Sequence, residues 1–224
     1  MYNPRLTRHF LINNFKFSSE VISKITGKIS LRVIHKGDLF KIPNNETFFV
    51  LDGKLKLLEL EEAGNQQIKE FLFSGEIWPS NTMPDQEFTC HLESLADKTY
   101  LGIPDKDFFD FVLNDSVLAQ EIKAIGKRRI LKLNRRISCL MCKDIEKRLL
   151  LFLSDLAEEL GTDDDEVTVF SNFLSHYDIA MALGVARQTV TTLLNKLRTE
   201  QQIRYDSKHI ILMKNDLVGR QYPA

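Results

Sequence analysis

Four side chains late in the sequence carry hydrogen-bonding groups that match the edges of nucleic-acid bases. Arg187, Gln188, Thr191 and Thr192, with Asn195 just beyond, recur at spacings of three and four. In a helix such spacings put side chains on one face. A guanidinium donates two hydrogen bonds to O6 and N7 of guanine, and a glutamine amide pairs with N6 and N7 of adenine. Threonine is short enough to touch a thymine methyl or a phosphate, and each bidentate pair discriminates against a wrong base by about 1–3 kcal/mol. Ser175, His176, Thr189, Lys196 and Lys208 flank this set as candidate phosphate contacts. For His176, Lys196 and Lys208 the plain alternative is a solvated surface group.

The elements that must position these residues are legible in the same stretch. Ser175 followed three residues later by Asp178 is a helix start of the capping-box kind. Ile179 and Leu183 form an inward face, and Ala180 is small enough for a close helix crossing. Gly184 stops the helix, because glycine alone adopts positive φ without strain. Val185 anchors the turn, and Val190, Leu193, Leu194 and Leu197 then give a second helix its inward face. Two short helices meeting at a glycine turn form a helix-turn-helix, and the major groove admits one α-helix. Gln201–Tyr205 and His209–Leu212, separated by Asp206-Ser207-Lys208, predict a β-hairpin behind it, so the motif is winged.

Upstream, residues 116–139 predict one long helix with a narrow apolar stripe at Leu118, Ile122, Gly126, Ile130, Leu133 and Ile137, continuing to Leu140. The spacing is close to an a/d seam. A stripe this narrow packs either on a second subunit or on its own domain. Gly126 costs about 1 kcal/mol of helix propensity relative to alanine, which points to close backbone approach. The other faces carry Lys123, Lys127, Arg128, Arg129, Lys132, Arg135 and Arg136, read as solvated surface. A helix over residues 143–160 follows, with Gly161 able to cap its end. The acidic run Thr162–Glu166 reads as a solvated loop and Val167–Phe170 as a short strand.

The first half has a different texture. After about 30 helical and irregular residues, short runs rich in Val, Ile, Phe and Leu alternate with glycine-containing turns: 31–35, 48–51, 54–60, 68–73, 88–95 and 99–103. Regular short strands of this kind predict a barrel or sandwich, and Asp52-Gly53 is the strongest hairpin signal. A short helix is expected over 105–113. Residues 1–116 hold 13 basic and 17 acidic side chains, net −4, whereas 117–224 hold 17 and 14, net +3. The asymmetry permits a basic C-terminal module.

In this order, these residues resemble the CRP/FNR superfamily of bacterial transcription regulators. Phe49-Val50-Leu51-Asp52-Gly53-Lys54-Leu55-Lys56-Leu57 is similar to that family's strand–turn–strand, Phe73-Ser74-Gly75-Glu76-Ile77 to its next turn, and Ala186-Arg187-Gln188-Thr189-Val190 to its recognition helix. The resemblance implies an α+β chain: a cyclic-nucleotide-binding-like β-roll over 1–115, a dimerisation helix and hinge over 116–142, and a winged helix-turn-helix over 143–224. It implies a homodimer on a palindromic stretch of double-stranded DNA with half-sites one helical turn apart, and RNA polymerase as a further candidate partner. The departures are informative. Cyclic-nucleotide binders of the family carry a Gly-Glu pair after the Gly75-like turn and an Arg-Ser/Thr pair further on. Here the two regions read Trp78-Pro79-Ser80-Asn81 and Phe88-Thr89, and no arginine occurs between Arg32 and Arg128. Cyclic AMP is therefore not expected as an effector, and the pocket resembles degenerate branches such as the PrfA and ArcR types. Ala186 stands where the family often has Ser or Thr, which weakens the N-cap of the second motif helix by about 1 kcal/mol.

The remaining cysteines and histidines bear on other functional classes. Cys139-x-x-Cys142 at the expected hinge reads as a redox switch or as two small buried apolar residues. An odd total of three cysteines does not build a disulfide scaffold. With no second pair and no nearby histidine, a zinc site is not expected, and no cysteine precedes Cys90 to hold an iron–sulfur cluster. The histidines, His9, His35, His91, His176 and His209, lack the clustering of a cupin-type metal enzyme. No enzymatic motif, cofactor or metal is expected. A protein-interaction module without DNA affinity, and a regulator answering an unidentified small molecule, stay open. The first ten residues lack a signal peptide's apolar core, so a cytoplasmic location without a membrane partner is the expectation.

Overall fold

The computed structural model describes residues 3–41, 46–60, 66–79, 89–142, 144–164 and 166–213. The chain divides into two compact units, Met1–Ile130 and Leu131–Ala224.

The first unit opens with α1 (Pro4–Asn14), capped by Asn3, and α2 (Ser19–Ile25), capped by Ser18. Among the described residues eight strands follow: β1 (Ile29–His35), β2 (Leu39–Lys41), β3 (Phe48–Asp52), β4 (Lys54–Leu60), β5 (Gln66–Phe73), β6 (Ile77–Trp78), β7 (Thr89–Ser94) and β8 (Lys98–Pro104). They form two four-stranded sheets, ordered β1-β8-β3-β6 and β2-β7-β4-β5. The paired strands are antiparallel, as expected of a β-roll. Phe48, Val50, Leu55, Leu72, Leu92 and Leu101 belong to one core cluster that draws on both sheets. A second core packs Leu11, Val21, Ile25 and Phe108 against Ile29 and Phe49. The β3–β4 turn needs glycine: Gly53 has φ +121, and a Cβ there would lie 2.8 Å from the Thr99 Cβ and 2.9 Å from its Cα. The six expected strands are all present. β2 and β6 were not anticipated, being only three and two residues long. Ser80, Asn81, Phe88 and the expected turn at Glu61–Asn65 lie outside the described residues.

α3 (Phe108–Leu113) begins three residues later than the sequence suggested. α4 (Ser116–Met141) is one continuous helix. Its apolar stripe does not act as a single seam. Leu118 is fully buried (0% exposed) and, with Ile125, belongs to the core of its own unit; Ile122 packs against that core. These side chains are therefore not free for a second subunit. Further along, Ile130 is 61% and Ile137 56% exposed, with Leu140 and Met141 also exposed and Leu133 half-buried. Among the described residues, nothing beyond the helix's own backbone lies within 4 Å of where a Gly126 Cβ would sit, so they do not make the close approach inferred for Gly126.

The basic residues of α4 are not uniformly solvated, which corrects the sequence reading. Arg129 is largely buried: its Nη2 donates to Glu70 Oε2 at 2.6 Å, and its guanidinium lies 4.7 Å from the Trp78 ring centroid. The roll thus holds an arginine beyond Arg32, delivered by α4 and invisible to a count along the strands. Arg32 makes a bidentate pair with Glu46, at 2.8 and 2.9 Å.

The second unit contains α5 (Ile145–Leu160), β9 (Thr162–Asp164), β10 (Val167–Ser171), α6 (His176–Leu183), α7 (Arg187–Thr199), β11 (Ile203–Tyr205) and β12 (His209–Met213). Its sheet runs β11-β12-β10-β9, all antiparallel. Asp144 caps α5 by accepting from Glu146 N and Lys147 N. One expectation is overturned here. The acidic run is not all loop: Thr162–Asp164 pairs with β10, and Thr168 Oγ1 donates to Asp163 Oδ1 at 2.7 Å. It is an exposed, charged edge strand, which resists adding further strands. Gly161 does cap α5, its N–H returning to Ala157 O at 2.8 Å, with an extended backbone (φ −76) in place of the left-handed one. Glycine suits this place because a Cβ would sit 2.3 Å from Ala157 O and 2.4 Å from Thr168 Cγ2. Among the described residues, no helix is long and apolar enough to cross a membrane.

Candidate nucleic-acid interface

The second unit shapes α6 and α7 from local rules. Ser175 Oγ accepts from Asp178 N at 3.1 Å while the Asp178 carboxylate accepts from Ser175 N at 3.0 Å, closing the capping box read from the sequence. Gly184 ends α6 with φ +67 and ψ 39, the left-handed conformation the turn requires. Its N–H and that of Val185 both return to Ala180 O. Ile179, Ala180 and Leu183 are buried, as are Val190, Leu194 and Leu197 of α7; Leu193 is half-buried. The start of α7 has no side-chain cap at Ala186, as the sequence indicated.

Two arginines complete the turn: Arg136, which the sequence suggests as solvated surface, and Arg148, which no sequence pattern singles out. Arg136 Nη2 donates to Ala182 O at 3.1 Å, and Arg148 Nη1 to Leu183 O at 3.0 Å. Helix C-termini present unsatisfied carbonyls and partial negative charge. Two guanidiniums here satisfy both needs and fix the end of α6, from which α7 departs. Their signal in the sequence was only a basic residue on a neighbouring helix, which names no partner.

The outer face of α7 comes out as expected. Arg187, Gln188, Thr192 and Asn195 are exposed; Thr189 and Thr191 are half-buried. Thr191 is internally engaged: its hydroxyl lies 2.9 Å from His176 Nδ1 and donates to Arg187 O at 3.1 Å. His176 also meets the Tyr205 ring edge-on at 6.2 Å, and Tyr205 donates its hydroxyl to Asn195 Oδ1 at 3.1 Å. The first motif helix, the second and the hairpin are thereby tied together through side chains. Lys196 turns toward α5, pairing with Glu146 at 2.5 Å, and that hydrogen bond raises its pKa. Lys208 lies exposed in the loop between β11 and β12, where Asp206 Oδ1 accepts from its amide at 2.6 Å. Ser175 is exposed, although its hydroxyl already serves the capping box.

Cys139 and Cys142 differ in environment. Cys139 is buried, its Sγ donating to Arg148 O at 3.3 Å. Burial, with Asp155 adding, pushes its thiol up to about 11. Cys142 is half-buried and lies just past the end of α4, so the pair does not share a helix face. A thiol held protonated is a poor nucleophile and a poor redox sensor, which favours the packing reading of Cys139.

A β-roll followed by a long helix and a winged helix-turn-helix defines a class of DNA-binding transcription regulator, and comparison with known proteins agrees. Residues 147–217 match the Crp-like helix-turn-helix domain. The chain is 33% identical over 205 residues to the global nitrogen regulator of Synechococcus elongatus, covering 88% of this chain and 92% of that protein. It is 25% identical over 183 residues to electron transport regulator A of Shewanella oneidensis, covering 80% and 73%. The fold matches the structure of FixK2 from Bradyrhizobium japonicum with a TM-score of 0.71 at 17% identity, covering 88% of this chain and 98% of that one. This protein belongs to the CRP/FNR family of transcription regulators.

Proposed function

We propose that this chain acts as a homodimer that binds a palindromic operator sequence-specifically, carries out no chemistry of its own, and does not depend on cyclic AMP. Arg187 and Gln188 read base edges, with Thr192 and the partly engaged Thr191 beside them. Ser175, His176, Thr189 and Lys208 contact phosphates, and Lys196 joins them by exchanging its Glu146 partner. The observation that carries this reading is the exposed polar face of α7, held at a defined angle by the left-handed Gly184 turn and the capped end of α6.

Dimerisation is supported by the exposed apolar positions Ile130, Ile137, Leu140 and Met141 along one continuous helix, with Gly126 open above them. With half-buried Leu133 included, Ile130, Leu133, Ile137 and Leu140 recur at steps of three and four, the spacing of a helix–helix contact. Independence from cyclic AMP is supported by the roll's arginines: Arg32 is paired with Glu46 and Arg129 with Glu70, so a cyclic phosphate would have to displace a carboxylate. A regulator of this kind implies RNA polymerase as a further partner and the cytoplasm as its place of work.

The test is selection of genomic DNA fragments by the purified protein without added ligand, followed by sequencing. A recovered palindrome with half-sites about 10 base pairs apart is expected; enrichment of nothing, or of a single asymmetric site, refutes the reading. Arg187→Ala should relax preference at one guanine of each half-site, and an unchanged profile would remove Arg187 from base reading.

A further inference from the structure

The buried cation on α4 is unused by the DNA-reading machinery. Leu55 and Leu57 of β4 belong to the core of the roll, and their cross-strand partners on β5 are Leu72 and Glu70. Side chains of paired residues share a face, and so do residues two apart on a strand. Glu70 therefore lies on the core-facing side of its sheet, with its side chain 4% exposed. Arg129 meets it there at 2.6 Å, 13% exposed. One face of the guanidinium lies on Trp78, itself stacked on Phe48 with centroids 6.1 Å apart and planes 10° apart.

Stability alone is a weak explanation for such a contact, because a buried ion pair is often no better than well-packed apolar residues of the same volume. An ion pair does impose a particular register, since the Arg129 guanidinium meets the Glu70 carboxylate and the Trp78 ring together in one placement. Here that register is the rotation and axial position of α4 against the roll. Ile130, the next residue, begins the exposed apolar stretch.

We propose that Arg129 and Glu70 are positioning residues for DNA binding: they latch α4 onto the β-roll so that the stripe from Ile130 onward is presented to a second subunit in one register. The proposal rests on the dimer reading above.

The test uses the full chain in three variants: R129M, the doubly neutral E70Q/R129M, and R129K. Trp78 is the sole tryptophan, so intrinsic fluorescence reports the latch directly. DNA affinity is read on the best fragment recovered with the parent protein, self-association by sedimentation, and stability by chemical unfolding. R129M should shift Trp78 emission, lower stability by removing the cation that faces a buried carboxylate, and weaken DNA binding about tenfold or more. E70Q/R129M should regain most of the stability, since both charges of the pair are removed together, yet remain weak in DNA binding. R129K keeps the charge beside Glu70 without the planar group and should fall between the parent and R129M, with an intact fold. If E70Q/R129M, or R129K, binds DNA as the parent does while Trp78 emission is changed, the pair is structural only and the proposal fails. A parent protein that binds DNA as a monomer at all concentrations removes the dimer reading, and the latch with it, and is told apart by sedimentation.

Discussion

Replacing Gly184 isolates the conformational term in the recognition motif. Gly184 sits at φ +67, and among the described residues no atom beyond its chain neighbours lies within 4 Å of where a Cβ would stand. Gly184→Ala therefore meets no neighbour, and its whole cost is that of an L side chain in the left-handed region, about 1–2 kcal/mol. Asparagine tolerates this region better than alanine, so Gly184→Asn should lose about half as much or less. By contrast, a Cβ at Gly75 (φ +89) would lie 2.3 Å from Asn14 O, so Gly75→Ala should cost clearly more. The only tryptophan is in the other unit, so the assay is native-state hydrogen exchange of the α7 amides at Val190, Leu194 and Leu197. Their protection should fall about 5–30-fold in Gly184→Ala. DNA affinity should fall by no more than the same factor, since no candidate contact is removed. An unchanged exchange rate, a loss above about 4 kcal/mol, or asparagine as harmful as alanine would refute the reasoning.

Other expectations follow from single contacts. Ser175→Ala removes the acceptor for Asp178 N and should cost about 1 kcal/mol, measured by the same exchange experiment. Ile137→Asp puts a charge in the proposed subunit contact and should shift sedimentation toward monomer while leaving the unfolding midpoint nearly unchanged, because Ile137 is exposed within the subunit. Lys208→Ala should weaken binding to all DNA sequences alike and reduce the slope of log K against log salt by about 0.9. Cys139 has its pKa raised from an ordinary 9.0 to about 11 by burial. The native state thus holds that proton longer than the unfolded chain, so the stability it contributes is complete below about pH 9 and is lost as pH rises through 11. Cys139→Ala should flatten this alkaline decline, and at neutral pH a thiol reagent should modify Cys142 well before Cys139. Equal rates for the two would refute the assignment.

Local rules made much of the second unit legible. A capping box, a glycine turn and a 3.6-residue apolar period act within about ten residues of chain, so Ser175, Asp178, Gly184 and the Val190–Leu197 face could be read before any partner was known. The same holds for the longer strands of the roll and the Asp52-Gly53 hairpin. Failures began where a feature was too short or its neighbour too distant. β2 and β6 span three and two residues, less than one period of alternation repeated twice. Thr162–Asp164 carries a loop-like composition and is a strand only because β10 offers it hydrogen bonds.

By itself, then, the sequence determined the order of the longer elements, the polar outer face of α7 and the family, because periodicity, capping and turn preference are properties of neighbouring residues. Tertiary structure alone decided what each face meets. Leu118 and Ile137 belong to the same apolar stripe, but one is sealed in its own core and the other stands open. Arg128 and Arg129 are adjacent in the same basic run, yet Arg129 is buried against Glu70, 59 residues away, and Arg128 is exposed. No spacing rule separates them, because burial of a charge depends on whether a carboxylate from another strand is there to receive it.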